Sequence, residues 1–202
     1  MKKLNLPNTL SLLRVLFVPL FMAAVIYIRI PAGAGFWHTL GLAAIPAIIF
    51  GLTAYTDHLD GKIARERNLI TDFGKFIDPL ADKFMVFGAL IAILVSRPDI
   101  AKIFVWVAAV IMLRELAITS LRLVVASTDG KVVAASMWGK VKTTVQCIAI
   151  VLILLEPVLL WWTRPGFPPI VSYVSMAAML ITTIGSGIDY MRAYLPHIDM
   201  NK

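Results

Sequence analysis

Long apolar runs dominate the chain. A membrane-crossing helix needs about 20 mainly apolar residues, with a range of roughly 17–25. Six stretches meet that measure, at approximately 10–29, 40–65, 77–97, 101–126, 140–163 and 169–192. The second and sixth hold the cleanest runs, Leu40–Thr56 and Ile170–Ile188, with no charge in either. The first run, Leu10 to Ile28, carries only Arg14. Lys2 and Lys3 precede it, as in a secretory signal, but the run is long for one and no small-residue cleavage pattern closes it, so it reads as a retained helix. The third stretch carries Asp78, Asp82 and Lys83, and the fourth Arg114, Glu115 and Arg122. Proline and glycine mark breaks at Pro31–Gly35, Arg97-Pro98 and Arg164–Pro169. The pattern predicts an all-α integral membrane protein with six transmembrane helices, forming one membrane-embedded domain over 1–202 with no internal repeat or soluble domain.

Composition sharpens this picture. The chain has 202 residues, 59% hydrophobic and 15% charged, with a mean hydropathy of +0.84. Soluble proteins run at roughly 45–50% apolar and about 25% charged, so lipid must be the solvent for much of the surface. The apolar composition excludes disorder and a collagen repeat, and the single cysteine, Cys147, excludes a disulfide scaffold. The net charge of +7 points to an anionic membrane face or anionic substrates, and no nucleic-acid partner is expected. With six spans, the outer connections hold Arg29, Arg97, Lys102 and Arg164, only 4 of the 19 basic residues. The positive-inside rule then puts both termini in the cytosol. Trp37, Trp106, Trp161 and Trp162 fall near outer boundaries and Trp138 near an inner one, as an aromatic belt requires.

Four of the 12 acidic residues, Asp57, Asp60, Asp78 and Asp82, sit where the second span ends and the third begins. A carboxylate beside hydrocarbon is costly and marks a functional site. Asp57 and Asp60 are three apart, and Asp78 and Asp82 four apart, so each pair shares a helix face. If the chain turns back between them, four like charges meet, and bound cations must relieve the repulsion. Oxygen-only ligands favour Mg²⁺ or Mn²⁺, and two such ions suit displacement at phosphorus. Gly61 and Gly74 leave room for a ligand, Ala64 keeps the same face low, and Arg65 can offer a planar fork to a diphosphate. His58 points about 100° away from Asp57 and is not expected to be a ligand.

Further along, Arg114 and Arg122 are eight apart on nearly one helix face, and Lys140 and Lys142 open the fifth span. Eleven apolar residues, Ile103–Leu113, precede Arg114 and set it inside the span. Together these cations can form a pocket for an acceptor that carries a phosphate. Lys131 and Lys202 read instead as snorkelling anchors. A divalent-cation transporter using the aspartates as its ion path is the rival reading, although their clustering at one face argues against a conduction path.

The stretch Asp57-His-Leu-Asp60-Gly61-Lys-Ile-Ala64-Arg65, then eight residues, Gly74, three, Asp78, three, Asp82, resembles the DxxDGxxAR(x)8GxxxDxxxD signature of the CDP-alcohol phosphotransferase family. It matches at all eight fixed positions across 26 residues. The resemblance implies transfer of a phosphatidyl or similar group from a CDP-linked lipid to an alcohol, with release of CMP. It further implies that Asp57, Asp60 and Asp78 are metal ligands and that Asp82 is the general base and also touches a metal. Asp60, Gly61, Ala64, Arg65 and Gly74 would shape the CDP pocket.

Three more blocks are similar to the bacterial branch of the family that uses glycerol 3-phosphate. They are Asn5–Leu10 with Leu13-Arg14, Arg114-Glu115 with Leu121-Arg122, and Val133–Ser136 followed by Gly139–Gln146. The first implies a short amphipathic N-terminal segment before the first span. This branch implies CDP-diacylglycerol and glycerol 3-phosphate as substrates, direct displacement without a covalent intermediate, and a homodimer in the bacterial cell membrane with its site facing the cytosol. Arg114, Arg122, Lys140, Lys142 and Arg192 are the candidates for holding the acceptor phosphate. Serine or phosphatidylglycerol as acceptor is the alternative within the family.

Overall fold

The computed structural model describes residues 6–31, 33–66, 72–128, 137–163 and 167–194. They form six helices: α1 (Leu6–Tyr27), α2 (Phe36–Glu66), α3 (Asp72–Ser96), α4 (Ala101–Thr128), α5 (Met137–Leu159) and α6 (Ile170–Tyr194). No strand occurs among the described residues. Five of the helices are long and apolar enough to cross a membrane, while the apolar part of α1, Ser11–Tyr27, is shorter. The N-terminal amphipathic segment lies partly outside the described residues, and from Leu6 onward the chain is already α1. Pro7 falls in the first turn, where its missing N–H costs nothing.

Pro19, Pro46, Pro79 and Pro157 lie inside helices. In a membrane bundle neighbouring helices and local adjustment re-satisfy the backbone that such prolines free. The breaks fall instead where Gly33 takes a positive φ of 78° and where Arg97-Pro98 joins α3 to α4.

α2 packs on α1 and α5, and α6 on α4 and α5, while α3 packs mainly on α1, with lesser contacts to α4 and α5. Its Ala81, Ala89, Leu90, Ala92 and Ile93 are fully buried. Small residues let backbones approach closely where lipid removes the hydrophobic drive between helices. Gly88 is the tightest such point: a Cβ there would lie 2.7 Å from Val18 Cγ1 on α1. The shared core adds Phe21, Phe50, Phe104, Ile111, Ile150 and Met179 from the other five helices. Leu16, Ile48, Leu113, Val174 and Ile181 are exposed, as lipid-facing positions would be.

The two ends of the bundle differ. At one end Arg97 donates to Asp99, to the Ile153 carbonyl and to Glu156, which also accepts from the Ser172 amide at 3.0 Å and from its hydroxyl. Glu156 is buried, so one carboxylate ties the α3–α4 connection to α5 and α6. Trp161 caps this end, donating from Nε1 to the Ala34 carbonyl at 3.1 Å and stacking edge-on with Phe36. The other end holds the aspartate motif.

Candidate active site

The backbone puts the signature at the rim of the apolar region. In α2 the apolar segment runs Phe36–Thr56 and Asp57 follows at once. In α3 the apolar segment starts at Pro79, one residue after Asp78. α2 continues to Glu66 as helix, so Asp57 and Asp60 hold their three-residue spacing on one face, as Asp78 and Asp82 hold their four-residue spacing on α3. The side chains of Asp57, His58, Asp60, Ala64, Arg65 and Asp78 lie outside the described residues, and Gly61 enters only as helix backbone. Gly74 is buried in the first turn of α3. Among the described residues no group of three metal-ligating side chains gathers. The chemistry of the candidate donor set still fits a hard cation: all four signature acids are carboxylates, in helical phases that bring each pair to one side.

Asp82 is described in full. It is exposed, and its Oδ1 accepts from Arg14 Nη1 at 2.9 Å. Arg14 is itself buried, carried to that point by the packing of α1 against α3. The sequence marked Arg14 as the single charge in an apolar run and as part of the N-terminal block similar to the bacterial branch. The lone charge is a signal of function, but the sequence did not name its partner.

Asp82 borders a cleft of about 810 Å³ that is lined from α2, α3, α4, α5 and α6. The same cleft is lined by Arg114, Arg122, Lys140 and Lys142. Four of the five cations proposed for the acceptor therefore meet the proposed base in one cavity. Arg192 lies exposed in the last turn of α6 and is not among the cleft's lining residues.

The cations are held by a network that the sequence did not reveal. Glu115 accepts from Arg114 Nη1 at 3.0 Å and from Lys142 Nζ in a short contact. Lys142 is buried, so Glu115 supplies the counter-charge without which an ammonium there would be costly. Arg114 Nη2 donates to Ser186 on α6 at 3.0 Å. Tyr190 lies beneath both guanidiniums, 5.3 Å from Arg114 and 5.5 Å from Arg122, and its hydroxyl accepts from Arg122 Nη2 at 3.1 Å. A Cβ on Gly139 would come within 2.9 Å of the Tyr190 hydroxyl, so the glycine lets α5 close over the ring. Only Glu115 had a sequence signal, its place beside Arg114. Tyr190 had none, because a tyrosine near a span end reads as an interface anchor.

Comparison with known proteins identifies the family. Residues 4–185 match the family model described as CDP-alcohol phosphatidyltransferase. The chain belongs to this family of membrane transferases. Among its relatives is a Bacillus subtilis (strain 168) protein, 44% identical over 156 residues that cover 75% of this chain and 77% of the relative. A Sodalis glossinidius protein is 37% identical over 183 residues, covering 90% and 88%. A Haemophilus influenzae protein is 33% identical over 192 residues, covering 94% and 93%. All three are named CDP-diacylglycerol–glycerol-3-phosphate 3-phosphatidyltransferase.

Proposed function

We propose that this protein transfers a phosphatidyl group from CDP-diacylglycerol to glycerol 3-phosphate, giving phosphatidylglycerol phosphate and CMP. The observation that carries the reading is the cleft itself, where Asp82 faces the same space as Arg114, Arg122, Lys140 and Lys142. An uncharged alcohol would leave that many cations without a purpose, whereas an acceptor with its own phosphate uses them. The names of the relatives point to the same acceptor. Family membership replaces the rival reading of the aspartates as an ion path.

The chemistry follows from the residues. CDP-diacylglycerol lies with its head at the rim and its acyl chains in the bilayer, Arg65 donating to the diphosphate. Asp57, Asp60, Asp78 and Asp82 would hold two Mg²⁺ or Mn²⁺ ions, which when bound stabilise the charge that builds on the diphosphate. Arg114, Lys140 and Lys142, with Arg122, hold the acceptor phosphate. An Asp82 carboxylate oxygen takes the proton from the 1-hydroxyl. The alkoxide oxygen bonds to the lipid-side phosphorus as the bond to the CMP oxygen breaks, and CMP leaves with the electron pair. No cysteine or serine nucleophile enters this scheme, so turnover is a single displacement.

The setting we propose is a bacterial cytoplasmic membrane, with both termini and the cleft on the cytosolic side and the protein acting as a homodimer. α1 counts as a sixth span: its mainly apolar 17-residue segment Ser11–Tyr27 rises about 25 Å, and the helix packs on both α2 and α3. The test is an acceptor screen in mixed micelles of CDP-diacylglycerol with Mg²⁺, using radiolabelled glycerol 3-phosphate, serine or phosphatidylglycerol. Glycerol 3-phosphate should enter lipid with equimolar CMP release. Labelling from serine or phosphatidylglycerol in its place would overturn the acceptor.

A further inference from the structure

Among the described residues, Gln146 is the one buried side chain of the cleft with every polar atom unpartnered. It lines the cavity, it is 1% exposed, and neither its amide nitrogen nor its amide oxygen has a hydrogen-bond partner among the described residues. A buried amide without partners is costly, so a side chain with donor and acceptor both unmet is poised for something that enters the cavity. On α5 it follows Lys142 by four residues, on the same face and about one turn, or roughly 6 Å, further from the rim.

A partner for this amide must both accept from its NH₂ and donate to its oxygen. Phosphate oxygens and the ester carbonyls of a diacylglycerol only accept, and would leave the Gln146 oxygen unpaired. Cytosine could do both. However, the motif places the nucleotide toward Gly61 and Gly74, whereas Met85 and Val86, which border the cleft with Gln146, lie beyond Asp82 in the opposite direction along α3. A hydroxyl also does both, and of the two hydroxyls on glycerol 3-phosphate the first is committed to Asp82. We infer that Gln146 hydrogen-bonds the secondary hydroxyl of the acceptor and so selects a phosphorylated triol skeleton over other phosphorylated alcohols. This rests on the acceptor reading above. With the phosphate at Lys142, the second carbon of a three-carbon acceptor falls within reach of a residue one turn deeper.

The experiment compares glycerol 3-phosphate with 1,3-propanediol monophosphate, which lacks only the secondary hydroxyl, at saturating CDP-diacylglycerol. Wild-type protein should favour glycerol 3-phosphate in kcat/KM by about 10- to 100-fold, the penalty for leaving buried polar groups unpaired. In Gln146→Leu the glycerol 3-phosphate value should fall by a similar factor while the propanediol value stays within a few-fold, so that the ratio collapses toward one. Equal losses on both acceptors would overturn the inference, as would an unchanged ratio with an altered KM for CDP-diacylglycerol. If the leucine variant does not fold, Gln146→Met takes its place. Wild type alone also decides, since equal use of the two acceptors would refute the hydroxyl contact while leaving the acceptor assignment intact. No use of glycerol 3-phosphate at all would overturn the acceptor assignment, and the inference with it.

Discussion

Asp82 and Glu115 show how much of the proposed chemistry rests on single carboxylates with cationic partners. Arg14 reaches Asp82 from a neighbouring helix, and its burial means that it cannot swing away to water. Replacing the base by Asp82→Asn should cost turnover about 10²–10⁴-fold while leaving the affinity for CDP-diacylglycerol near wild type, as read by equilibrium binding. Turnover retained in that variant would remove Asp82 from the base role. Arg14→Leu should lower kcat more than it raises the acceptor KM, since the arginine positions Asp82 and does not touch the acceptor. A pure KM effect would contradict this. Glu115 acts on the opposite side of the cleft, where its carboxylate neutralises Arg114 and Lys142 together. A carboxylate at that point occupies the cations much as a phosphate would. Glu115→Ala should destabilise the empty protein by about 3–5 kcal/mol, the cost of stranding a buried charge. Added glycerol 3-phosphate should then raise the thermal midpoint by more than it does in wild type, because the anion replaces the missing counter-charge. An equal ligand-induced shift in the two proteins would show that Glu115 does not share the phosphate's cations.

At the level of the helices, α1 delivers Arg14 only because α3 lets it come close. A methyl on Gly88 meets Val18, which is itself packed, so Gly88→Ala should lower stability by about 1–3 kcal/mol through overpacking. Gly51 has open space around its would-be Cβ, and Gly51→Ala should instead be neutral or stabilising by up to about 1 kcal/mol. Thermal midpoints in detergent check both, and similar losses would refute close packing at Gly88. The far end is tied by Arg97. Burial pushes the Asp99 carboxyl up, but the hydrogen bonds and charge of Arg97 outweigh this and hold it below its ordinary range. A carboxylate lowered in the fold contributes stability above its unfolded pKa of about 3.9, and loses it as pH falls through the lower folded value. The stability gap between wild type and Asp99→Asn should therefore be flat near neutrality and close as pH drops below about 4. A gap that widened in acid would reverse the sign. Six helices and their breaks were legible from apolar runs and Pro/Gly punctuation. The starts were less so: α1 begins at Leu6, α2 at Phe36 and α3 at Asp72, four or five residues ahead of the apolar runs, because a helix can extend through polar residues beyond the apolar layer. Which helices touch was not legible. Exposed Ile48 and buried Phe50 are both apolar, so lipid-facing and core-facing sides carry no contrast for a sequence pattern to report.

Across the whole molecule, charge and aromatic residues give the bundle two unlike ends. Trp37, Trp106, Trp161 and Trp162 are exposed near the end tied by Arg97 and Glu156, and only Trp138 sits near the cleft end. By sequence, only 4 of the 19 basic residues, Arg29, Arg97, Lys102 and Arg164, belong to the end tied by Arg97, so most of the net charge of +7 falls on the other side. In the proposed orientation, lysines and arginines on that side would set topology by the positive-inside rule and would draw anionic substrates toward the cleft. The aspartate motif was legible because its spacing is a local property of two helices. The cation cluster was legible only as a set of candidates, since Arg114, Arg122, Lys142 and Tyr190 come from three helices that meet only in the folded bundle. The shared sidedness of charge and chemistry yields one prediction for the intact protein. In a Cys147→Ala background, Lys102→Cys at the start of α4 and Ala193→Cys at the end of α6 place single exposed thiols at opposite ends. An impermeant maleimide should label position 102 in intact spheroplasts and position 193 only after lysis. The reverse pattern would put the cleft outside, away from cytosolic nucleotide-activated lipid heads and phosphorylated acceptors. The positive charge would then have to be explained by the chemistry of the cleft alone.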